Sequence, residues 1–167
     1  MLENSSYDFY EQLEKAIPDE KYTIENLKKN YNFANLEHKI GKEEKADAYD
    51  SISGEWLEIK VDYTTYPNHF VERYSSLEDK KLGGPWQYLH RGVKYYVFFY
   101  KKLGDIYVFE TQALVIRIET LLKNNIISDH NNGGKVEQRN AYYHTYGYKV
   151  SKKLIDDICI LKLSNCF

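Results

Sequence analysis

A chain of 167 residues has room for one domain with a sizeable core and is too short for two ordinary ones, so a single unit over 1–167 is expected. With 43% hydrophobic and 29% charged residues the balance is globular, which excludes a disordered or fibrous chain. The formal net charge of −2 provides no broad basic footprint, so affinity for a polyanion has to come from a local groove, for which Lys80, Lys81, Arg91 and Lys94 lie close in sequence.

The start, Met1-Leu-Glu-Asn-Ser-Ser6, lacks the basic and apolar run of a signal peptide, and no segment approaches the ~20 apolar residues that span a bilayer. A soluble, cytoplasmic protein with no membrane partner is therefore expected, in the host-cell cytoplasm if the source is viral. Ser5 or Ser6 can cap a first helix whose apolar positions Phe9, Tyr10, Leu13 and Ile17 recur at helical spacing, and Pro18 is expected to stop it. A second, shorter helix is predicted after Thr23, with Ile24, Leu27 and Tyr31 on one face. Residues 35–40 read as a strand and 41–45 as a charged turn.

Residues 47–60 then read as a strand, a tight Ser53-Gly54 turn and a second strand. A two-residue turn sets Ile52 against Glu55, Tyr49 against Glu58 and Asp47 against Lys60. Because side chains alternate between faces, Asp47, Glu58 and Lys60 then emerge together, while Asp50 lies opposite Leu57 on the other face and ranks below Asp47 as a ligand. Two carboxylates and an ammonium on one sheet face suit metal-assisted phosphodiester hydrolysis. The carboxylates hold a hard divalent cation and the ammonium orients or deprotonates a water, or stabilises the transition state. The plain alternative is a solvated hairpin face. It is weakened by the clean apolar alternation of Leu57, Ile59 and Val61 on the opposite side and by Trp56 among the charges, which implies a partly covered face.

An Asp, a short gap and Glu-x-Lys on the next strand resembles the PD-(D/E)xK nuclease superfamily, with Ala46 where its nominal Pro would stand. The similarity extends from Leu36 to Leu154 through Glu58-Ile-Lys-Val-Asp62, Asn68-His-Phe-Val-Glu72, the strand Val93–Tyr100, and Ile106–Thr111 entering a helix. That order is similar to small phage-type and Holliday-junction-resolvase-like members. The resemblance implies an α+β fold of the α/β/α restriction-endonuclease-like kind, with a central mixed sheet flanked by helices. It implies a Mg²⁺-dependent deoxyribonuclease, with Mn²⁺ able to substitute. Asp47, Glu58 and the backbone carbonyl of Ile59 would be the metal ligands, Lys60 the catalytic cation and Glu72 an accessory acid. It further implies that the helix before the sheet supplies another acid, with Glu11, Glu14 and Glu25 as candidates, and that a resolvase-like member would act as a homodimer on branched DNA.

Pro67 rules out a regular central strand across 63–67, and a new segment starts near Asn68. Residues 75–84, ending in Gly83-Gly84, read as a flexible loop, and Pro85–His90 as one helical turn; His90 is read as a surface or structural histidine. Residues 93–100 and 105–110 are near-continuous apolar strands joined by a hairpin, and a helix over 112–123 should pack on them through Leu114, Val115, Ile118 and Leu121. Residues 124–134 read as a turn region, 142–149 as a last strand and 152–158 as a short helix. Cys159 and Cys166 have neither zinc-ligand spacing nor a disulfide framework, which suits a reducing interior. The 17 tyrosines are read mainly as genome composition, although tyrosine can stack on bases. The rival reading is a catalytically inactive nucleic-acid- or protein-binding module on the same scaffold.

Overall fold

The structure, a computed structural model, describes residues 4–41, 43–127, 133–136 and 145–166, with side chains described over 14–41, 43–127 and 145–166. The first helix, α1 (Asn4–Leu27), runs through Pro18, so the expected stop and the separate second helix are both corrected. Proline removes one intrahelical hydrogen bond at a cost of ~3 kcal/mol. Tertiary burial outweighs it here: Asp19, Glu20, Thr23, Ile24, Asn26 and Leu27 are all buried. Asp19 also accepts a hydrogen bond from the Tyr63 hydroxyl at 2.8 Å and an ion pair from Lys101 Nζ at 2.9 Å, which ties the helix to the sheet. Tyr31, assigned to the same apolar face, lies in a separate 3-10 turn and is 93% exposed.

The chain continues through β1 (Leu36–His38), β2 (Ala48–Asp50), β3 (Trp56–Asp62), β4 (Asn68–Ser76), β5 (Lys81–Leu82), α2 (Gly84–His90), β6 (Tyr95–Tyr100) and β7 (Asp105–Glu110). It then forms α3 (Thr111–Lys123), β8 (Gly133–Val136), β9 (Thr145–Ser151) and β10 (Cys159–Leu163). The fold is α+β with a mixed central sheet of order β1-β2-β3-β6-β7-β10, in which β3 and β6 are parallel and the other neighbours antiparallel. A second antiparallel sheet, β5-β4-β9-β8, was not foreseen. Its β4 and β9 alternate polar and apolar residues, and its β5 and β8 fall in segments read as loop and turn. Two 3-10 turns, Lys152–Leu154 and Asp156–Ile158, and then β10 replace the expected last helix.

The central sheet is buried on both faces, as the apolar runs of β6 and β7 require. Leu57, Ile59, Val97, Phe99, Ile106 and Val108 pack against Ile24 and Leu27 of α1 and against Phe33 and Leu36. On the other face Tyr96, Phe98, Tyr100, Tyr107 and Phe109 pack against Leu114, Val115, Ile118 and Leu121 of α3, Trp86 of α2, and Val71, Tyr148 and Val150 of the second sheet. The charged side chains of β3 point toward this second face, so β4 and α2 are laid beside them.

Candidate active site

The hairpin that carries the acids has a longer loop than the expected two-residue turn. Ala48 pairs with Leu57 and Tyr49 with Trp56, a slip of two positions from the expected register. Asp50 causes it: Oδ1 accepts hydrogen bonds from the amides of Ile52 and Ser53, each at 2.9 Å, and the Gly54 amide closes back on the Asp50 carbonyl at 2.9 Å. Asp50 is thus committed to shaping the loop. A slip of two keeps every side chain on its face, because strand side chains repeat every second residue. Asp47 therefore still shares a side with Glu58 and Lys60.

Asp47 sits where the β2 ladder ends, and its Oδ2 accepts the Ile59 amide at 2.8 Å, replacing the missing backbone partner. The N–H and C=O of one strand residue point to the same side, so the Ile59 carbonyl is directed toward the Asp47 side as well. The carboxyls of Asp47 and Glu58 are neighbours on that side and act on one another electrostatically. Burial, then the Glu20 charge, pushes the Asp47 pKa up to about 7, with the Ile59 amide opposing. Burial, then the Asp47 charge, holds Glu58 well above the ordinary glutamate range. Among the described residues, Glu58 Oε2 is buried without a hydrogen-bond partner.

Among the described side chains the acid that α1 brings to the site is Glu20. Glu14 and Glu25 are exposed, and the Glu11 side chain lies outside the described residues. Burial, then Asp19, raises Glu20 to about 6, and its charge acts on both Asp47 and Glu58. Its Oε2 lies 2.7 Å from His38 Nε2. Burial holds the His38 pKa below its ordinary value, against the opposing attraction of Asp47. The signal for Glu20 was present in the sequence: Glu20, Ile24 and Leu27 stand at i, i+4 and i+7, one helical face, once the helix is allowed to pass Pro18.

From the second face, the Tyr88 hydroxyl of α2 is turned toward Glu58 and acts on it electrostatically, and Arg91 rides over the Tyr88 ring at 5.5 Å. Lys60 is exposed at the mouth of the cluster. Glu72 of β4 faces Lys60 and lies against the backbone of Gly84; burial raises its pKa while Lys60 and the Gly84 amide oppose the shift. Glu72, Glu58 and Asp47 all act on the buried Tyr96 hydroxyl. The close approach of β4 to α2 is possible only with glycine. A Cβ on Gly83 would lie 2.1 Å from Glu72 Oε1 and one on Gly84 2.4 Å from the Glu72 carbonyl oxygen, while Gly84 also has φ +45°. Of the four expected groove cations, all are exposed, and Lys94 pairs with Glu110 at 3.5 Å. His90 is exposed and outside the cluster.

Among the described residues, no group of three or more His, Cys, Asp or Glu side chains is already arranged around a common metal position. The donor set nonetheless fits a hard cation: two adjacent carboxyls both held above their ordinary pKa, one buried carboxyl oxygen without a partner, and a backbone carbonyl directed to the same side. No helix of the described residues is long and apolar enough to cross a membrane. No protein-family model, curated protein or solved structure matches this chain.

Proposed function

We propose that the protein is a metal-dependent DNA nuclease that hydrolyses phosphodiester bonds. The observation that carries the reading is the adjacent, half-buried carboxyl pair Asp47–Glu58, Asp47 anchored by the Ile59 amide, with Glu20 acting on both and exposed Lys60 on the same strand face. Buried like charges without a cation are costly, so a fold that gathers three acids at a strand end next to a free ammonium suits a site for a divalent cation and a phosphate. Asp47, Glu58 and the Ile59 carbonyl would hold Mg²⁺ or Mn²⁺, whose role is to offset phosphate charge and lower the pKa of a water.

The residues supply the rest. The Ile59 amide fixes the rotamer of Asp47, and the Tyr88 hydroxyl lies beside Glu58. Lys60 projects outward, where its ammonium can meet a phosphate oxygen and stabilise the extra negative charge of the transition state. Glu72, whose charge Lys60 feels, adds a carboxylate on the lysine side of the site. Glu20 and His38, in contact at 2.7 Å, form a proton-holding pair at the edge of the cluster.

The modest net charge and the absence of a preformed three-ligand group among the described residues favour the second reading, a binding module with inactive carboxyls. Labelled linear duplex, single strand, flap and four-way junction, incubated with Mg²⁺ or Mn²⁺, separate the two. Cutting by the wild type that is lost in Glu58→Gln and Lys60→Ala supports the nuclease; binding without cutting under either metal supports the module.

A further inference from the structure

A cleft of about 340 Å³ lined by Asp62, Thr64, Tyr66, Asn68, Phe70 and Lys149 adjoins the acid cluster along the same two strands. Lys60 and Asp62 are on one face of β3, and Glu72 and Phe70 on one face of β4, because strand side chains alternate. Asp62 and Phe70, each two residues from Lys60 and Glu72, both line the cleft, which sets Asp62 about 7 Å along β3 from Lys60 at the usual strand rise. We propose that this cleft receives the base of one unpaired nucleotide adjoining the phosphate held at Lys60. The substrate would then carry single-stranded or frayed DNA at the cut.

Chemistry and size both select a base. Phe70 is half-buried in the cleft and Tyr66 is 65% exposed at its rim, two rings available for stacking, which is tolerant of base identity. The Asn68 amide and the Asp62 carboxylate offer donors and acceptors to a base edge. One Asp62 oxygen already accepts the Thr64 amide at 2.7 Å, which fixes the carboxylate against the loop. That negative charge repels a phosphate from the cleft floor. Lys149, directly opposite Phe70 in the β4–β9 ladder and exposed, is instead placed at the rim for the backbone of the same nucleotide. The volume falls within the range of small-ligand sites and is far too small for a duplex. A base inside a duplex stack cannot reach such a cleft without leaving its partner, so the unpaired form is the one that fits.

The inference rests on the nuclease reading for its place in cleavage, but its test does not need cleavage. A single-stranded oligonucleotide carrying one 2-aminopurine is titrated with the full chain in EDTA. Stacking is expected to quench the probe on binding. Tyr66→Ala, which truncates an exposed ring, and Phe70→Leu, which keeps apolar volume, should each lose the quench and weaken binding roughly tenfold. Phe70→Trp should restore both, and circular dichroism melts of each variant establish that it is folded. An unquenched wild type, or quenching unchanged in folded Tyr66→Ala and Phe70→Leu, overturns the base site. Quenching without cutting in Mg²⁺ or Mn²⁺ keeps the base site and removes the nuclease reading; cutting without quenching does the reverse.

Discussion

Half-buried Glu58 and fully buried His69 are both titratable, and each has one buried ring or carboxyl atom without a hydrogen-bond partner among the described residues, yet their surroundings differ in kind. His69 is sealed by Phe98, Tyr107, Tyr100 and Phe109, with ring centroids 4.5, 5.0, 5.5 and 5.6 Å away, and its Nδ1 lies 2.6 Å from the Tyr100 hydroxyl. Burial, then the charges of Lys152 and Lys162, lowers its pKa to about 3, so it is a neutral packing element at physiological pH. Tyr107 and Phe109 meet it edge to face, and Lys152 Nζ lies 3.7 Å above the Tyr100 ring. Glu58 is instead surrounded by groups of its own sign and opens toward an exposed lysine. A single neutral polar group in an aromatic cage stabilises one arrangement of the core. Several like charges meeting at a strand end store unfavourable electrostatics that a cation can relieve, and that contrast is what separates a site from a core.

The strongest way to break the comparison is Glu58→Gln. Loss of Mg²⁺-dependent cleavage by more than about 10³-fold is expected, with retained or increased thermal stability in EDTA. A large drop in stability with unchanged cleavage would place Glu58 with His69 as a packing residue. Lys60→Ala should lower kcat by about 10²–10³-fold and leave the melting temperature nearly unchanged, because the side chain is exposed. An unaltered kcat would remove Lys60 from the chemistry.

The pH dependence sharpens the contrast further. Asp47 and Glu58 have folded pKa values above their unfolded ones, so the folded protein binds more protons. Without metal their contribution is fully present below the usual carboxylate pKa and is lost as pH rises toward about 7, the Asp47 value. Divalent cation displaces those protons, so Mg²⁺ or Mn²⁺ should raise the melting temperature more at pH 8 than at pH 5, and binding should release protons measurably by calorimetry in buffers of different ionisation enthalpy. His69 behaves oppositely. Its lowered pKa gives stability that is complete above about 6.5 and declines as pH falls toward about 3, so His69→Leu should flatten the acid limb of a melting-temperature profile. The smallest effect concerns the support of Glu72: Gly83→Ala should cost about 1–3 kcal/mol by urea denaturation, because its Cβ meets the Ser75 amide nitrogen at 2.8 Å as well as the Glu72 carboxyl.

The shared face of the three candidate residues was legible in the sequence because it depends on parity. Asp47, Glu58 and Lys60 stay on one face although the loop was misjudged, since a two-residue slip preserves alternation while a one-residue slip would have scattered them. The loop itself was misjudged because Asp50 side-chain hydrogen bonds, invisible in a strand pattern, lengthen it. Glu20 was missed through a local rule applied too strictly: Pro18 lowers helix propensity, but the burial of Thr23, Ile24 and Leu27 overrides it. Tyr88 and the pairing of Glu72 with Lys60 arise from tertiary docking of α2 and β4, for which no local periodicity exists. The second sheet was hidden for the same reason, since β4 pairs with β9, from the other end of the chain.

The parallel pairing of β3 with β6 also has a consequence for how the site comes into being. Parallel neighbours cannot be joined by a tight turn, and the crossover between them, residues 63–94, includes β4 and α2. Glu72 and Tyr88 therefore ride on the very segment whose closure lets β6 align beside β3. The acids of the early hairpin can gather locally, but their partners arrive only with a long-range closure, so the complete candidate site is a product of late, non-local folding and should emerge in step with the parallel ladder.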